Sequence, residues 1–321
     1  MKAIRPRQTG GPEILHVEEF PAPTLGPSEV LVRVGAAGVN YIDVYHRTGL
    51  YPTQLPLLIG LEGAGTVEQI GSAVREIHVG AHVAWGSVPG SYASHVVAPA
   101  DRLVPVPEGV EIQTAAALLL QGMTAHYLTQ TTFPLRTGHV ALVHAAAGGV
   151  GLLLIQIAKL SGAWVIGTVS TEAKAALAKE AGADQAINYQ TSDFVAEVKR
   201  LTDGRGVDVV YDGVGQATFD GSLGVLAPRG HLVLYGQSSG PVPSFDLARL
   251  SKGSYSLTRP SLQHYTATRA ELLSRSSALF SLVAAGKLRV RIGHTFSLAE
   301  AGQAHNALTS RETTGKVLLI P

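Results

Sequence analysis

Short apolar runs separated by Gly and Pro dominate the first third of the chain. Val30–Val34, Glu62–Ile70 and His95–Ala98 have the β-branched or alternating composition typical of strands. Sustained helical periodicity does not begin before Gln113. The pattern therefore predicts a β-rich first part that extends to about residue 105.

From residue 138 onward, short apolar runs alternate with helical segments. The predicted strands are His139–Ala145, Trp164–Val169, Gln185–Asn188, Val207–Val210, His231–Tyr235 and Tyr255–Thr258. The predicted helices are Gly149–Leu160, Thr171–Ala181, Phe194–Leu201 and Phe219–Leu226. This alternation predicts a parallel sheet covered on both faces, with the doubly wound topology of nucleotide-binding domains.

The last part of the chain again has a composition typical of β-strands. A long helix is predicted over Ala270–Ala285, and the sequence then ends in the apolar run GKVLLIP. A length of 321 residues favours two domains, because single cores seldom grow beyond about 300 residues. We expect residues 1–122 and 266–321 to form the β-rich domain, and residues 123–265 to form the α/β domain.

Composition narrows the class of protein. Apolar residues make up 45% and charged residues 15%, which favours a globular chain over a disordered one. The net charge of +1 indicates no nucleic-acid partner. No cysteine is present, so disulfides and thiolate zinc sites are excluded.

Membrane insertion and export are not expected. The two long uncharged stretches, 112–135 and 137–158, are interrupted by Gln, Pro and Gly and are predicted to be buried elements. The N-terminus has charges but no apolar run behind them, so it does not resemble a signal peptide. A cytoplasmic location is therefore expected.

The strongest local motif is the sequence AAAGGVG at residues 145–151. It lies between a predicted strand and a predicted helix, where small residues let a backbone approach a pyrophosphate. Against the pattern GxGxxG, the three positions are Ala146, Gly148 and Gly151, so the first glycine is an alanine. A plain strand-to-helix turn is the alternative, but the β/α alternation that follows favours a dinucleotide site.

The end of the second predicted strand bears on the choice of cofactor. An NAD site needs an acidic residue there, whereas this strand runs into Ser170 and Thr171, with Lys174 one turn later. Lys174 can offer a cation to a 2′-phosphate. Glu172 is interpreted as a first-turn helix residue, and NADPH is therefore the predicted cofactor.

Several separated blocks together resemble one protein family. They are GGPE near the start, VNYIDVYHRTGLY at residues 39–51, the glycine-rich loop, YDGVG at 211–215, SSG at 238–240, TRPSLQ at 258–263 and the final LLIP. The chain resembles the bacterial NADPH:quinone oxidoreductases, which are related to zeta-crystallin within the medium-chain dehydrogenase/reductase superfamily. The resemblance implies a Rossmann cofactor domain, a GroES-like catalytic domain and NADPH-dependent reduction of quinones.

The resemblance also implies a set of cofactor-binding residues. In the nicotinamide region they are Asn40, Ile42, Asp43, Tyr45, Thr124, Tyr127, Tyr235, Gly236, Gln237, Ser238, Pro260 and Ser261. Around the phosphates and adenosine they are Gly148, Gly149, Val150, Ser170, Lys174, Tyr189, Gly213 and Arg311. Gln237 and Gly213 depart from the residues expected in near relatives.

No metal is expected in the reaction. The zinc-dependent branch of the superfamily carries a Cys ligand and a Gly-His-Glu run, whereas the matching place here reads Gly60-Leu61-Glu62. A quinone accepts hydride readily, so a dry cleft with hydrogen-bond donors is sufficient. The candidate catalytic residues are Asn40, Tyr45, Arg47 and Tyr51. Asp43 is expected to orient a neighbouring group.

Other functions stay open at the level of sequence. A reductase of the same architecture could act on 2-alkenals, other enones or enoyl thioesters. A non-enzymatic crystallin-like or RNA-binding role is a third alternative, which the near-neutral charge disfavours. The resemblance further implies a homodimer that pairs the predicted strand Tyr255–Thr258 across a two-fold axis.

Overall fold

The structure is a computed structural model that describes residues 1–321. The chain divides into two compact units. The first unit combines residues 1–123 with residues 266–321, and the second consists of residues 124–265. No helix combines the length and apolar character needed to cross a membrane.

The strands and helices are numbered in chain order. The strands are β1 (Lys2–Ile4), β2 (Val17–Glu19), β3 (Glu29–Val39), β4 (Glu62–Ile70), β5 (His82–Trp85), β6 (His95–Pro99), β7 (Val104–Pro105), β8 (Val140–Val143), β9 (Trp164–Val169), β10 (Gln185–Asn188), β11 (Val207–Asp212), β12 (Leu226–Leu234), β13 (Ser256–Thr258), β14 (Ile292–Ser297) and β15 (Lys316–Ile320). The α-helices are α1 (Tyr41–Thr48), α2 (Ile112–Tyr127), α3 (Gly149–Leu160), α4 (Glu172–Glu180), α5 (Phe194–Leu201), α6 (Phe219–Gly224), α7 (Leu262–Tyr265), α8 (Arg269–Ala284) and α9 (Ala301–Thr309).

The second unit is built on a six-stranded parallel sheet. Its strand order is β10-β9-β8-β11-β12-β13, which is the order of a doubly wound dinucleotide-binding domain. The order reverses between β8 and β11, and ligands of such sheets bind outside the carboxyl ends of the strands at that point. The predicted doubly wound sheet is therefore confirmed.

The first unit is built on a seven-stranded sheet. Six strands follow the order β14-β15-β3-β4-β5-β7, and β6 pairs with β3. Strand β15 lies between β14, to which it is parallel, and β3, to which it is antiparallel. The apolar tail thus pairs with the long strand β3 of the first unit.

Most of the elements predicted after residue 138 are confirmed. The bounds of α3, β9, β10 and α5 are the predicted ones. The predicted end of α6 was wrong, because this helix ends at Gly224 and β12 begins at Leu226, five residues before the predicted start. Three short helices, α1, α7 and α9, were not predicted.

Candidate active site

Helix α1 carries the first group of candidate residues. It begins directly after the long central strand β3, and Asn40 is its N-cap residue. The carboxylate of Asp43 reaches back to accept a 2.8 Å hydrogen bond from the backbone N–H of Asn40. Gly49 ends the helix in the left-handed conformation. This short helix therefore holds Asn40, Asp43, Tyr45 and Arg47 at fixed spacing.

The side-chain amide of Asn40 has every hydrogen-bonding position occupied. Its Oδ1 accepts from Lys316 Nζ at 2.8 Å and from Gln121 Nε2 at 3.1 Å. Its Nδ2 donates to Glu62 Oε2 at 2.9 Å and to the carbonyl of Gly38 at 3.4 Å. Two acceptor and two donor positions are all that an amide has, so these contacts hold Asn40 in one orientation.

Lys316 and Glu62 form a buried ion pair behind Asn40. Their side chains are 1% and 0% exposed, and the Lys316 ammonium donates to Glu62 Oε2. Glu62 Oε1 accepts the backbone N–H of Leu120 at 2.7 Å. Lys316 was not among the predicted site residues, because a lysine in a terminal strand normally indicates a surface position.

The residues of this region do not form a zinc site. Glu62 stands where the zinc-dependent branch of the superfamily has its Gly-His-Glu run, but its carboxylate is engaged by the Lys316 ammonium. No three His, Asp or Glu side chains come together in a way that could hold a metal ion.

A second line of buried polar groups lies behind α1. The Tyr92 hydroxyl donates to Asp43 Oδ2 at 3.1 Å, and His305 Nε2 lies 3.0 Å from the same hydroxyl oxygen. Since the tyrosine proton goes to Asp43, His305 Nε2 must be the donor to Tyr92. Burial raises the pKa of Asp43 to about 7 and lowers the pKa of His305 to about 3. Asp43 thus orients a backbone N–H and a hydroxyl, which is the role expected for it.

Arg47 belongs to this second line. It follows Asp43 by one helical turn, is 5% exposed, and its charge contributes to the low pKa of His305. Its Nε and Nη1 are buried and have no hydrogen-bond partner. The charge of Arg47 therefore acts on the buried pair Tyr92 and His305.

Aromatic rings gather around Tyr45. Its ring centroid lies 5.0 Å from that of Tyr51 and 6.1 Å from that of Tyr41. The backbone N–H of Tyr51 donates to the carbonyl of Tyr45 at 3.1 Å, which ties the following segment to α1. The structure thus brings the predicted residues Tyr45 and Tyr51 together, and Ile42 lies half-buried on the same helix.

The glycine-rich loop lies at the switch point of the parallel sheet. The first intrahelical hydrogen bond of α3 runs from the N–H of Leu152 to the carbonyl of Gly148, at 3.0 Å. The amides of residues 149–151 consequently start the helix without intrahelical acceptors, as an anion site requires. A Cβ at Gly151 would collide with the carbonyl oxygen of Ala145, so this glycine is required.

The alanine in place of the first glycine has a structural explanation. Ala146 is fully buried, and its methyl group faces Gly167 on the neighbouring strand β9. A Cβ built at Gly167 would lie only 2.7 Å from the Ala146 Cβ. The absence of a side chain at Gly167 therefore leaves the space that the Ala146 methyl group occupies, so the loop tolerates alanine at the first position of the motif.

The ends of β9 and β10 carry the residues predicted to contact the adenosine and 2′-phosphate. Thr171 caps α4, since its Oγ1 accepts the N–H of Lys174 at 3.2 Å. Glu172 Oε1 accepts a 2.9 Å hydrogen bond from Asn188 Nδ2 at the end of β10. Ser170 and Tyr189 directly follow the two strands. Glu172 is thus turned toward Asn188.

The ends of β11 and β12 meet closely. The ring of Tyr235 lies over Gly213, where a Cβ would come within 2.8 Å of the phenol. The N–H of Ser238 donates to the carbonyl of Gly213 at 3.2 Å. The departure at Gly213 therefore makes room for Tyr235.

Arg259 holds the segment that follows Tyr235. Its Nη1 donates to the carbonyls of Leu234 and Gly236, at 2.9 and 3.3 Å, and its Nη2 donates to Gln237 Oε1 at 3.1 Å. The unexpected Gln237 is thus a partner of Arg259, a residue that was not among the predicted site residues. Pro260 and Ser261 follow Arg259 directly.

The remaining predicted residues lie on helix α2 and in the segment that follows helix α9. Thr124 and Tyr127 are buried on α2, and the ring of Tyr127 stacks on Tyr265 with a centroid distance of 4.2 Å. Arg311 follows α9 in the first unit, with a φ of 62° in the left-handed region. The packing of Tyr127 on Tyr265 could not be predicted from sequence.

Comparison with family models identifies both parts of the chain. Residues 26–108 match the family described as alcohol dehydrogenase GroES-like domain. Residues 149–277 match the family described as zinc-binding dehydrogenase, although the zinc ligands are missing here as described above.

Known proteins of similar sequence and structure cover the whole chain. A quinone oxidoreductase from Pseudomonas aeruginosa is 45% identical over 100% of this chain and 99% of its own. A crystal structure of Escherichia coli quinone oxidoreductase complexed with NADPH matches with a TM-score of 0.97 and 43% identity, covering 100% of both chains. A 2-haloacrylate reductase from Burkholderia sp. is 40% identical over 97% of this chain and 96% of its own.

Proposed function

The chain belongs to the quinone oxidoreductase family of the medium-chain dehydrogenase/reductase superfamily, and on that premise we propose that it reduces quinones with NADPH. The observation that carries the proposal is the loop at residues 145–151. It presents the amides of residues 149–151 without intrahelical acceptors at the switch point of a parallel sheet. A relative of similar structure has NADPH bound.

The residues present fit this cofactor. Those proposed to hold the pyrophosphate, adenosine and 2′-phosphate are Gly148, Gly149, Val150, Ser170, Lys174, Tyr189, Gly213 and Arg311. Those proposed for the nicotinamide half are Ile42, Asp43, Thr124, Tyr127, Tyr235, Gly236, Gln237, Ser238, Pro260 and Ser261, with Asn40 and Tyr45. When bound, NADPH supplies a hydride from its nicotinamide ring.

The four candidate catalytic residues are proposed to act in three ways. Tyr45 and Tyr51 are proposed as hydroxyl donors that stabilise the oxyanion developing on the quinone. Asn40 is proposed to orient the nicotinamide by van der Waals contact, because its amide is already fully hydrogen-bonded within the protein. Arg47 is proposed to act through its charge from the buried side of α1, since that charge lowers the pKa of His305.

The proposal is tested by NADPH oxidation with a panel of acceptors. Quinones should be reduced fastest, and chelator treatment should leave the rate unchanged. Tyr45→Phe should lower kcat/KM by about tenfold with an unchanged Kd for NADPH, since water can supply the final proton. The proposal fails if no quinone is reduced, or if chelation abolishes turnover.

Conjugated acids are a second candidate class of acceptor. The 40% identity to a 2-haloacrylate reductase over nearly the whole chain favours testing them. Including 2-haloacrylates, 2-alkenals and enoyl thioesters in the same panel ranks these acceptors against quinones by kcat/KM. A higher value for a haloacrylate than for every quinone would reassign the substrate.

We also infer a homodimer that works in the cytoplasm. The support for the dimer is β13, a three-residue strand at one edge of the six-stranded sheet, which a second copy could extend. Light scattering after size exclusion should give twice the mass of one chain. A cytoplasmic site is inferred because NADPH, the proposed reductant, is an intracellular metabolite.

A further inference from the structure

A buried line of hydrogen-bonded side chains crosses the switch point of the parallel sheet. His144, which follows β8, has Nδ1 2.8 Å from Thr168 Oγ1 on β9. Its Nε2 lies 2.9 Å from Ser222 Oγ on α6, and Ser222 donates to Asp212 Oδ2 at the end of β11, at 3.0 Å. None of these four residues is more than 2% exposed.

The direction of every hydrogen bond in this line can be assigned. Asp212 Oδ1 accepts the N–H groups of Val214 and Gly215, at 2.8 and 3.0 Å, and its Oδ2 accepts from Thr218 and Ser222. Because Ser222 gives its proton to a carboxylate, its oxygen must accept from His144 Nε2.

The neutral imidazole then has an unprotonated Nδ1 that accepts the Thr168 hydroxyl proton. Burial lowers the pKa of His144, which favours this neutral form. The line Thr168 → His144 → Ser222 → Asp212 therefore runs in one direction and requires a single tautomer of His144.

Each strand end in this line leads directly into a loop of the proposed cofactor site. His144 precedes the loop 145–151, Thr168 precedes Ser170 by two residues, and Asp212 precedes Gly213. Backbone bonds reinforce the connection, since the carbonyl of Thr168 accepts the N–H of Ala146 at 3.0 Å. The imidazole thus contacts β9 directly and is linked to β11, on the other side of the switch point, through Ser222 on α6.

We propose that His144 is a positioning residue for NADPH, fixing the spacing of the loops that follow β8, β9 and β11. The inference rests on the proposed function. A buried polar line costs desolvation that an apolar core would avoid, so its value lies in specifying one geometry. Because His144, Ser222 and Asp212 are buried, their influence on a ligand passes through the loops.

The experiment uses conservative variants of the full-length chain. Thr168→Val and Ser222→Ala each remove one hydroxyl from the line, and His144→Asn and His144→Gln retain one side of the ring's hydrogen bonding. The matched control is His231→Gln, a half-buried histidine on β12 that lies outside the line. The readouts are the Kd of NADPH from fluorescence titration, kcat and KM, and imidazole ¹⁵N shifts.

Each of the four variants should raise the Kd and KM for NADPH by about tenfold, while kcat changes less than about threefold. His231→Gln should bind as the wild type does. The ¹⁵N spectrum of the wild type should show His144 protonated at Nε2 alone, from neutral to mildly acidic pH.

Three results would overturn the inference. The first is unchanged NADPH affinity in folded Thr168→Val and Ser222→Ala. The second is loss of folding in both of these mild variants in the cold, which would assign the line to core stability. The third is an Nδ1-protonated ring. Failure of the wild type to bind NADPH would instead refute the proposed function.

Discussion

Asp43 and His305, at the two ends of one hydrogen-bonded line, have opposite protonation preferences in the folded chain. The pKa of Asp43 rises from 3.8 to about 7, so its contribution to stability is present below pH 3.8 and lost as pH rises through 7. The pKa of His305 falls from 6.5 to about 3, so its contribution is present above pH 6.5 and lost as pH falls toward 3. Between about pH 4 and 6.5 the two effects cancel.

Substituting either residue alone should therefore make the free energy of unfolding depend on pH in the range where the two effects cancel in the wild type. In Asp43→Asn only the His305 effect remains, so the free energy of unfolding should fall as pH drops below 6.5, by up to about 1.4 kcal/mol per unit. In His305→Gln only the Asp43 effect remains, and stability should fall as pH rises from about 4 to 7. Urea unfolding across this range measures both slopes relative to the wild type. Parallel slopes in all three proteins would refute the cancellation.

The buried pair Lys316–Glu62 gives a second prediction for single residues. Lys316→Met leaves a carboxylate uncompensated in the interior, and should lower the free energy of unfolding by about 3–5 kcal/mol. The double variant Lys316→Met/Glu62→Gln removes both charges and should recover much of this loss.

The matched control for the ion pair is Lys159→Met. It breaks the partly exposed pair with Asp184, which should cost no more than about 1 kcal/mol. Chemical denaturation of all three variants provides the comparison. Equal losses in Lys316→Met and Lys159→Met would show that burial adds nothing to the first pair.

Single residues were predictable where local sequence carries their chemistry. Tyr45 and Tyr51 lie within one short segment, and the structure brings their rings together. Lys316 and Glu62 are 254 residues apart, so their pairing exists only once the sheet has formed. Local sequence cannot signal such a contact, and a buried lysine looks the same in sequence as an exposed one.

At the scale of elements, the contact between the loop before α3 and strand β9 can be tested by exchanging one methyl group. Gly167→Ala should clash with the Ala146 methyl and destabilise the fold by about 1–3 kcal/mol. Ala146→Gly should cost about 1 kcal/mol. The double variant moves the methyl from loop to strand and should be more stable than Gly167→Ala alone. Thermal unfolding of the four proteins gives the coupling energy, and strict additivity would contradict this packing.

Elements were predictable when their own periodicity identified them. The buried parallel strands and the helices between them have the continuous apolar runs or helical repeats that burial requires, and α3 and α5 match to the residue. Helix α1 was missed because its inward face carries the charged residues Asp43 and Arg47, and the tyrosine that donates to Asp43 lies on a distant segment. Its eight residues are also too few to establish a periodic pattern.

For the whole molecule, the first unit depends on both of its distant chain segments. Strand β15 lies between β14 and β3, and its apolar residues belong to the core of the seven-stranded sheet. Removing residues 312–321 should therefore abolish cooperative unfolding of this unit, because an interior strand and Lys316 are both lost. Removing only the exposed Pro321 is the control and should leave unfolding unchanged. Limited proteolysis with circular dichroism measures the outcome, and a cooperative transition in the longer deletion would contradict it.

The position of β15 in the sheet also determines which of the two units can complete its folding first during translation. Residues 124–265 leave the ribosome as one uninterrupted stretch, whereas the sheet of the other unit waits for residues 316–320. During translation, the nascent nucleotide-binding unit can mature while β3 still exposes an unpaired edge where β15 will pair. The unpaired edge of β3 is therefore the part of the nascent chain at which a bound chaperone would do most to prevent aggregation.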